Sequence, residues 1–316
     1  MPWTSILGQP TAARVLQADV IRNRLAPAYL FVGPEGVGKR LTAMELAKTV
    51  SCERPLEGAC NECAPCRRIS RGVHPDVHGV VPQGGASTIA IDQVRWVLER
   101  VSLRPFFGRR SMVIVDGAHR LTDEAANSFL KALEEPPGQA TFLLLTSQPA
   151  RCLPTILSRA RTVRFRPLEA GLIEEVLATR HNQPRELATR VSRLAQGSLS
   201  RALALCEEWE AYQAIHAQVA AGQASAWLRW PVPKERETVL RWFDVSIARL
   251  RDVAVASLEE PSPAPLSRER CIETAFRMME LRRSFEEQML SPRLVGTLLR
   301  ESWITLLEHG AGGHET

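Results

Sequence analysis

Two groups of residues in this sequence have the types and spacing to do chemistry. The first is Gly33-Pro34-Glu35-Gly36-Val37-Gly38-Lys39, which fits the phosphate-loop template G-x-x-x-x-G-K-[ST] up to its last position. In such a loop Gly33, Gly36 and Gly38 let backbone N–H groups turn inward on a phosphate, and the helix that follows adds its positive end. Lys39 would reach the β- and γ-phosphates, so a nucleotide, ATP or ADP, is the expected ligand. The last position is Arg40, where the template needs Ser or Thr. The missing hydroxyl is the one that holds Mg²⁺. A guanidinium cannot coordinate a cation but can pair with a phosphate, so nucleotide binding can survive while Mg²⁺ binding and catalysis suffer.

Asp116 closes the apolar run Met112-Val113-Ile114-Val115, where the metal-coordinating acid of such a site belongs. In active ATPases with this motif order the next residue is a Glu that orients the attacking water. Here it is Gly117, which has no side chain to polarise water. With two catalytic positions missing, no intrinsic ATPase activity is expected.

The second group is Cys60-Asn61-Glu62-Cys63-Ala64-Pro65-Cys66, with Cys52 just upstream. Four thiolates can close a tetrahedral structural zinc site with no open position for water. The CxxCxxC spacing also resembles an iron–sulfur run. Nothing else in the chain suggests redox chemistry, which favours zinc over iron. Cys152, Cys206 and Cys271 read as core residues. An odd total of seven Cys, with no basic or apolar leader over Met1-Pro2-Trp3-Thr4-Ser5, leads to the expectation of a reducing, cytoplasmic location with metal rather than disulfides.

The elements that must position these residues follow from periodicity. Ala28 to Val32, Met112 to Val115, Thr141 to Thr146 and Arg161 to Phe165 read as strands, and Ile89 to Ile91 as a short strand candidate. Between them lie helical patterns over 11–25, after Lys39, over 94–103 and over 121–135, the last stopped by Pro136-Pro137. Strand and helix alternate to about residue 166, which predicts an α/β domain with a parallel sheet. Beyond Pro167 strand signals stop. Residues 168–208 read as short helices with a break at Gly197-Ser198, and the rest as all-helical, carrying Trp209, Trp227, Trp230, Trp242 and Trp303 with a loop over 259–265. The net charge of +5 and pI of about 9.0 permit nucleic-acid contact without demanding it, because Arg is spread along the whole chain. The apolar runs are too short to span a bilayer.

Several segments resemble the bacterial clamp-loader subunits of the AAA+ class. They are Ile6-Leu7-Gly8-Gln9, Ala28-Tyr29-Leu30-Phe31, the four-cysteine insert, His74-Pro75-Asp76, Ile91-Asp92-Gln93-Val94-Arg95 and, most specifically, Ala125-Ala126-Asn127-Ser128-Phe129-Leu130-Lys131-Ala132-Leu133-Glu134-Glu135-Pro136-Pro137. The likeness covers about residues 1–205 and is only architectural beyond. Within that family Arg40 and Gly117 place the chain with the delta-prime branch, which often lacks the catalytic residues, rather than with the ATPase motor branch.

The resemblance implies a RecA-like domain over 1–166 with a zinc insert at 52–66, a helical lid over 167–208 and a helical collar over 209–316. It implies a hetero-pentameric ring with motor and delta subunits, acting on a sliding clamp and primed DNA, and no membrane. Ser158-Arg159-Ala160 falls where the family carries its arginine-finger motif, so Arg159 is the expected finger, given in trans to a neighbour's ATP. Thr146 or Ser147 falls at the γ-phosphate-sensing position, and Arg201 at that of the lid arginine. The alternatives are an active motor, which would need Arg40 and Gly117 functionally replaced, and a zinc-containing nucleotide module unrelated to replication.

Overall fold

The computed structural model of the chain describes residues 3, 6–55, 58–83, 86–107, 110–220, 232, 235–259, 267–287 and 290–310. The chain divides into two compact units, Met1–Arg201 and Ala202–Thr316.

The first unit is built on the apolar runs read from the sequence. Ala28–Val32 (β1), Ser111–Asp116 (β3), Ala140–Thr146 (β4) and Arg161–Arg164 (β5) are strands, joined by Val77–Val80 (β2). All pair in parallel in the order β2-β3-β4-β1-β5. Pro10–Ile21 (α1) precedes β1; parallel strands need crossovers, and the helices between them supply these: Lys39–Ser51 (α2), Ala64–Ser70 (α3), Ile91–Ser102 (α4), Asp123–Glu134 (α5) and Pro154–Arg159 (α6).

Alternation along each strand feeds two cores. Tyr29, Phe31, Leu143 and Leu145 pack with Leu16 of α1 and Leu46 of α2 on one face. Leu30, Val113, Phe142 and Leu144 pack with Val97 of α4 and Phe129 of α5 on the other. Burial on both faces is why these strands are continuous apolar runs. Phe142 is fully buried, edge-on to Phe129 at 5.0 Å between ring centroids. Phe142→Ala is expected to cost about 3–5 kcal/mol, read as a lower urea midpoint with an unchanged slope.

Three sequence expectations need correction. Ile89 makes only an isolated parallel bridge to Leu121, and Ile91 already begins α4, so no strand forms there. The edge strand over 77–80 was not expected. It is four residues long and contains Gly79, so neither length nor β-propensity announces it. Helix α1 also ends four residues before the expected 25, because Asn23 turns into the left-handed region at φ 51°.

Ala170–Arg180 (α7), Arg185–Leu194 (α8) and Leu199–Glu207 (α9) follow, and the break at Gly197-Ser198 is present. The second unit carries Trp209–Ala220 (α10), Arg236–Glu259 (α11), Arg268–Glu287 (α12) and Pro292–Gly310 (α13). Its core holds Phe243, Met278, Phe285, Leu299 and Trp303, whose indole Nε1 donates to the Ser246 hydroxyl at 2.9 Å. Trp227, Trp230 and the loop residues 260–265 lie outside the described residues. No described helix is long and apolar enough to cross a membrane.

Candidate functional site

The carboxyl ends of three adjacent strands converge on the phosphate loop. Val32 pairs with Thr146, and Asp116 with Leu145, so the loop, Asp116 and Thr146 share one edge of the sheet. Crevices outside such carboxyl ends are where open α/β sheets bind ligands. Gly33 is required by crowding: a Cβ there would stand 2.5 Å from the Phe165 carbonyl oxygen. Gly38 caps α2 at φ 97°, in the left-handed region glycine tolerates best.

Lys39 is buried, and its Nζ donates to the carbonyls of Gly33 at 2.7 Å and Pro34 at 2.5 Å. Burial pulls its ammonium below the ordinary lysine range, opposed by the charges of Glu35 and Asp116. With its ammonium curled against the loop's own carbonyls, Lys39 is placed to exchange them for an incoming phosphate. Arg40, the next residue, sends Nη1 to Asp116 Oδ2 at 3.4 Å. The two positions that would jointly hold a metal are therefore joined by an ion pair.

Of the two candidates at the sensing position, the Thr146 hydroxyl is buried. It lies 3.1 Å from His119 Nδ1 and accepts the Gln148 N–H at 3.1 Å. The Ser147 hydroxyl instead donates to Glu35 Oε1, in the loop itself, at 3.3 Å. Glu35 also faces Arg120 Nη2 at 3.9 Å.

The segment around Gly197 closes over the loop. The Leu199 N–H donates to the Gly36 carbonyl at 3.0 Å, and a Cβ on Gly36 would lie 2.1 Å from Ser200 Oγ and 2.2 Å from Ser198 Oγ. Arg201 follows directly, with Nη1 on Gln196 Oε1 at 3.3 Å. Gly36 sits at φ 72°. Gly36→Ala therefore combines left-handed strain of about 1–2 kcal/mol with displacement of both serines. The expected outcome is a lower melting temperature together with faster proteolytic cleavage near residues 196–201.

The four cysteines Cys52, Cys60, Cys63 and Cys66 come together, their sulfurs all within 4.8 Å of one another. Cys52 follows the last residue of α2, Cys63 caps α3 and Cys66 lies within it. Asn61, at φ 61°, makes the turn between Cys60 and Cys63, and its Oδ1 accepts from Lys48 Nζ at 3.0 Å. Backbone N–H groups point at sulfur: Arg54 and Cys60 donate to Cys52 Sγ at 3.4 Å, and Cys63 to Cys60 Sγ at 3.3 Å. The N–H groups of Cys63 and Glu62 pull the Cys60 thiol down to about 6, whereas burial pushes Cys52 and Cys66 up. A tetrahedral Zn–S bond of about 2.3 Å implies sulfurs about 3.8 Å apart; Cys52 and Cys63 stand at 4.0 Å. The cluster is the right size for one ion. A multi-iron centre would hold its thiolates farther apart, because the metal–metal spacing adds to the bond lengths. Cys152 and Cys271 are buried and Cys206 is half-buried.

Arg159 ends α6 with its side chain 36% exposed, and Nη2 meets Glu134 Oε1 of α5 at 2.6 Å. Its neighbour Arg161 is differently placed. Arg161 pairs with the buried Asp19 at 2.5 Å, and Asp19 also accepts the Tyr29 hydroxyl at 2.8 Å. Arg161 thus stitches β5 to α1, while Arg159 stands at the surface with one acidic partner.

A family model described as "DNA polymerase III, delta subunit" matches residues 8–169, more than half of the chain. The chain belongs to that family. It is 38% identical over 200 residues to the DNA polymerase III subunit delta' of Bacillus subtilis, covering 61% of this chain and 59% of that one. It is 35% identical over 199 residues to subunit delta' of Pseudomonas aeruginosa, covering 62% and 58%. The chain thus matches less than two thirds of the length of these relatives. In fold it resembles a DNA polymerase III gamma subunit-related protein of Thermotoga maritima, with a TM-score of 0.52 at 18% identity over 94% of this chain and 99% of that one.

Segments quoted for the family resemblance have physical work to do here. Gln9 clamps the far side of the loop: its amide donates to the Arg166 carbonyl at 2.7 Å and the Val37 carbonyl at 3.3 Å, and its oxygen accepts the Arg166 N–H at 3.0 Å. Asp76 accepts the N–H groups of Phe106 at 2.7 Å and Phe107 at 2.9 Å, tying the loop before β3. The sequence assigns no site role to Glu134, Ser198, Ser200 or Arg120. Each acts through a partner distant in the chain, and no local spacing signals such a meeting.

Proposed function

We propose that this chain is the delta-prime subunit of a bacterial clamp loader. It would act in a hetero-pentameric ring with ATPase motor and delta subunits, helping to open a sliding clamp and load it on primed DNA. On this reading residues 1–166 are the RecA-like domain, 167–208 the lid and 209–316 the collar that joins the ring. Zinc at Cys52, Cys60, Cys63 and Cys66 braces the insert. The loop residues Gly33, Gly36, Gly38, Lys39 and Arg40, with Asp116, Ser147 or Thr146, and Arg201, form a nucleotide site without turnover of its own. Arg159 is the finger given to a neighbouring motor's ATP.

The observation that carries the reading is the Arg40–Asp116 ion pair beside Gly117. A motor needs that place for a metal and that neighbour for a water-orienting carboxylate. The delta-prime names of the Bacillus subtilis and Pseudomonas aeruginosa relatives support the same branch. Reconstitution tests it. The purified chain alone should hydrolyse no ATP, should co-purify with motor and delta subunits, and should be required for loading a labelled clamp on primed DNA. Robust turnover by the chain alone, lost in Lys39→Ala, would instead make it a motor.

A further inference from the structure

The geometry points to a substitution of charge: we propose that Arg40 stands in for magnesium in this loop, so that the site binds a nucleoside di- or triphosphate as the free anion, without a divalent metal. The proposal rests on reading the loop as a nucleotide site and is independent of the ring role.

Arg40 and Asp116 are 76 positions apart in sequence, yet they meet at 3.4 Å at the mouth of the loop. One occupies the position whose hydroxyl would ligate the metal, the other the position whose carboxylate would. The guanidinium therefore already answers the charge that would recruit the ion. A dication entering here would have to displace Arg40 and then lie beside it, cation against cation. The other described acid of the mouth, Glu35, faces Arg120 and accepts from Ser147. Among these residues Lys39, Arg40 and Arg120 outnumber Glu35 and Asp116 by three to two. The first turn of α2 adds its N–H groups, so the mouth suits a polyanion without help from a metal.

Arg40 is also free to make the exchange. Its side chain is 66% exposed and that of Asp116 37%, so the pair is held weakly in water. The planar fork can turn from carboxylate to phosphate, a geometry it matches with two parallel N–H bonds. Lys39 makes the parallel exchange, from the carbonyls of Gly33 and Pro34 to the phosphate. Magnesium in solution would compete for the same phosphate oxygens, so its effect on affinity should be neutral or adverse, the reverse of a phosphate loop with an intact metal site.

The test is calorimetric titration of the full chain with ADP and with a non-hydrolysable ATP analogue, in EDTA and in excess Mg²⁺. Wild type is expected to bind at least as tightly in EDTA as in Mg²⁺. Arg40→Thr, its fold checked by circular dichroism and melting, should lose roughly tenfold or more in EDTA and recover when Mg²⁺ is added. In Arg40→Thr/Asp116→Asn the recovery should vanish. With Mn²⁺ as the probe, paramagnetic resonance should detect a protein-bound ternary ion in Arg40→Thr and not in wild type. Tighter wild-type binding in Mg²⁺, or an Arg40→Thr variant with the wild-type metal profile, overturns the proposal. Absence of binding under every condition overturns it together with the nucleotide reading of the loop, while clamp loading in the reconstituted ring would still stand.

Discussion

Replacing Arg159 by alanine is expected to slow ATP hydrolysis at one motor interface of the assembled ring by roughly 10³–10⁵-fold, the measured worth of a guanidinium supplied in trans. The effect is large because charge develops on the γ-phosphate in the transition state, in a site where a fixed cation needs little reorganisation. The chain's own fold should be untouched. Arg159 ends a short helix at the surface, and its contact with Glu134 is a partly exposed ion pair, a class worth at most about 1 kcal/mol. A single-turnover assay on the reconstituted complex, with a motor whose other interfaces are inactivated, isolates the step. Arg161→Ala is the informative control. It removes the partner of the buried Asp19, so it should lower thermal stability and leave the rate per folded complex nearly unchanged. Equal loss of rate in both variants would mean that the finger has been placed on the wrong residue. Glu134→Ala refines the assignment. If Glu134 holds Arg159 in reserve before the ring forms, its loss should leave the maximal rate intact and change the concentration of chain needed to reach it.

On the proposed zinc reading, removing the metal should produce the largest change in stability. Structural zinc contributes on the order of 10–16 kcal/mol of apparent folding free energy in isolated zinc-finger peptides. Here the insert leans on α2 and α3, so part of the first unit should survive its loss. Three of the four cysteines are buried; the N–H groups of Arg54 and Cys60 point at the sulfur of Cys52, which stands 4.0 Å from that of Cys63. Metal analysis is expected to find one zinc ion per chain, and Cys63→Ser should abolish its retention. Chelation should melt the segment 52–70 first, seen as hydrogen exchange rising there before it rises in β1, β3 and β4. Since thiolates bind the ion, chelation should become easier as pH falls and protons compete for sulfur. Visible charge-transfer absorbance with stoichiometric iron would assign the cluster to the iron–sulfur alternative instead.

Much of this was legible in the sequence because it is local. A phosphate loop is seven consecutive residues between a strand and a helix, and the template carries its own geometry. Cys60, Cys63 and Cys66 lie within one loop and one short helix, so their spacing already brings them to a common point. Buried parallel strands announce themselves as unbroken apolar runs, since both faces must leave water, and β1, β3 and β4 were readable for that reason. The departures from the template at Arg40 and Gly117 were legible too, because they need only the absence of a hydroxyl and of a carboxylate.

What the tertiary structure decided is how distant residues answer one another. Nothing in the chain order says that Arg40 pairs with Asp116, that Arg161 is committed to Asp19 while Arg159 meets Glu134, or that Ser198 and Ser200 rest against Gly36. Thr146 and Ser147 show the same limit. Thr146 ends β4 and Ser147 lies just beyond it, and only the fold shows that the Thr146 hydroxyl meets His119 while that of Ser147 reaches Glu35 in the loop. The short strand β2 was invisible because its pairing with β3, not its composition, makes it a strand. Sequence spacing determines which atoms a turn or helix brings together. Contacts across many tens of residues depend on sheet order and helix packing, which arise from the burial of the whole apolar surface and are encoded at no single position.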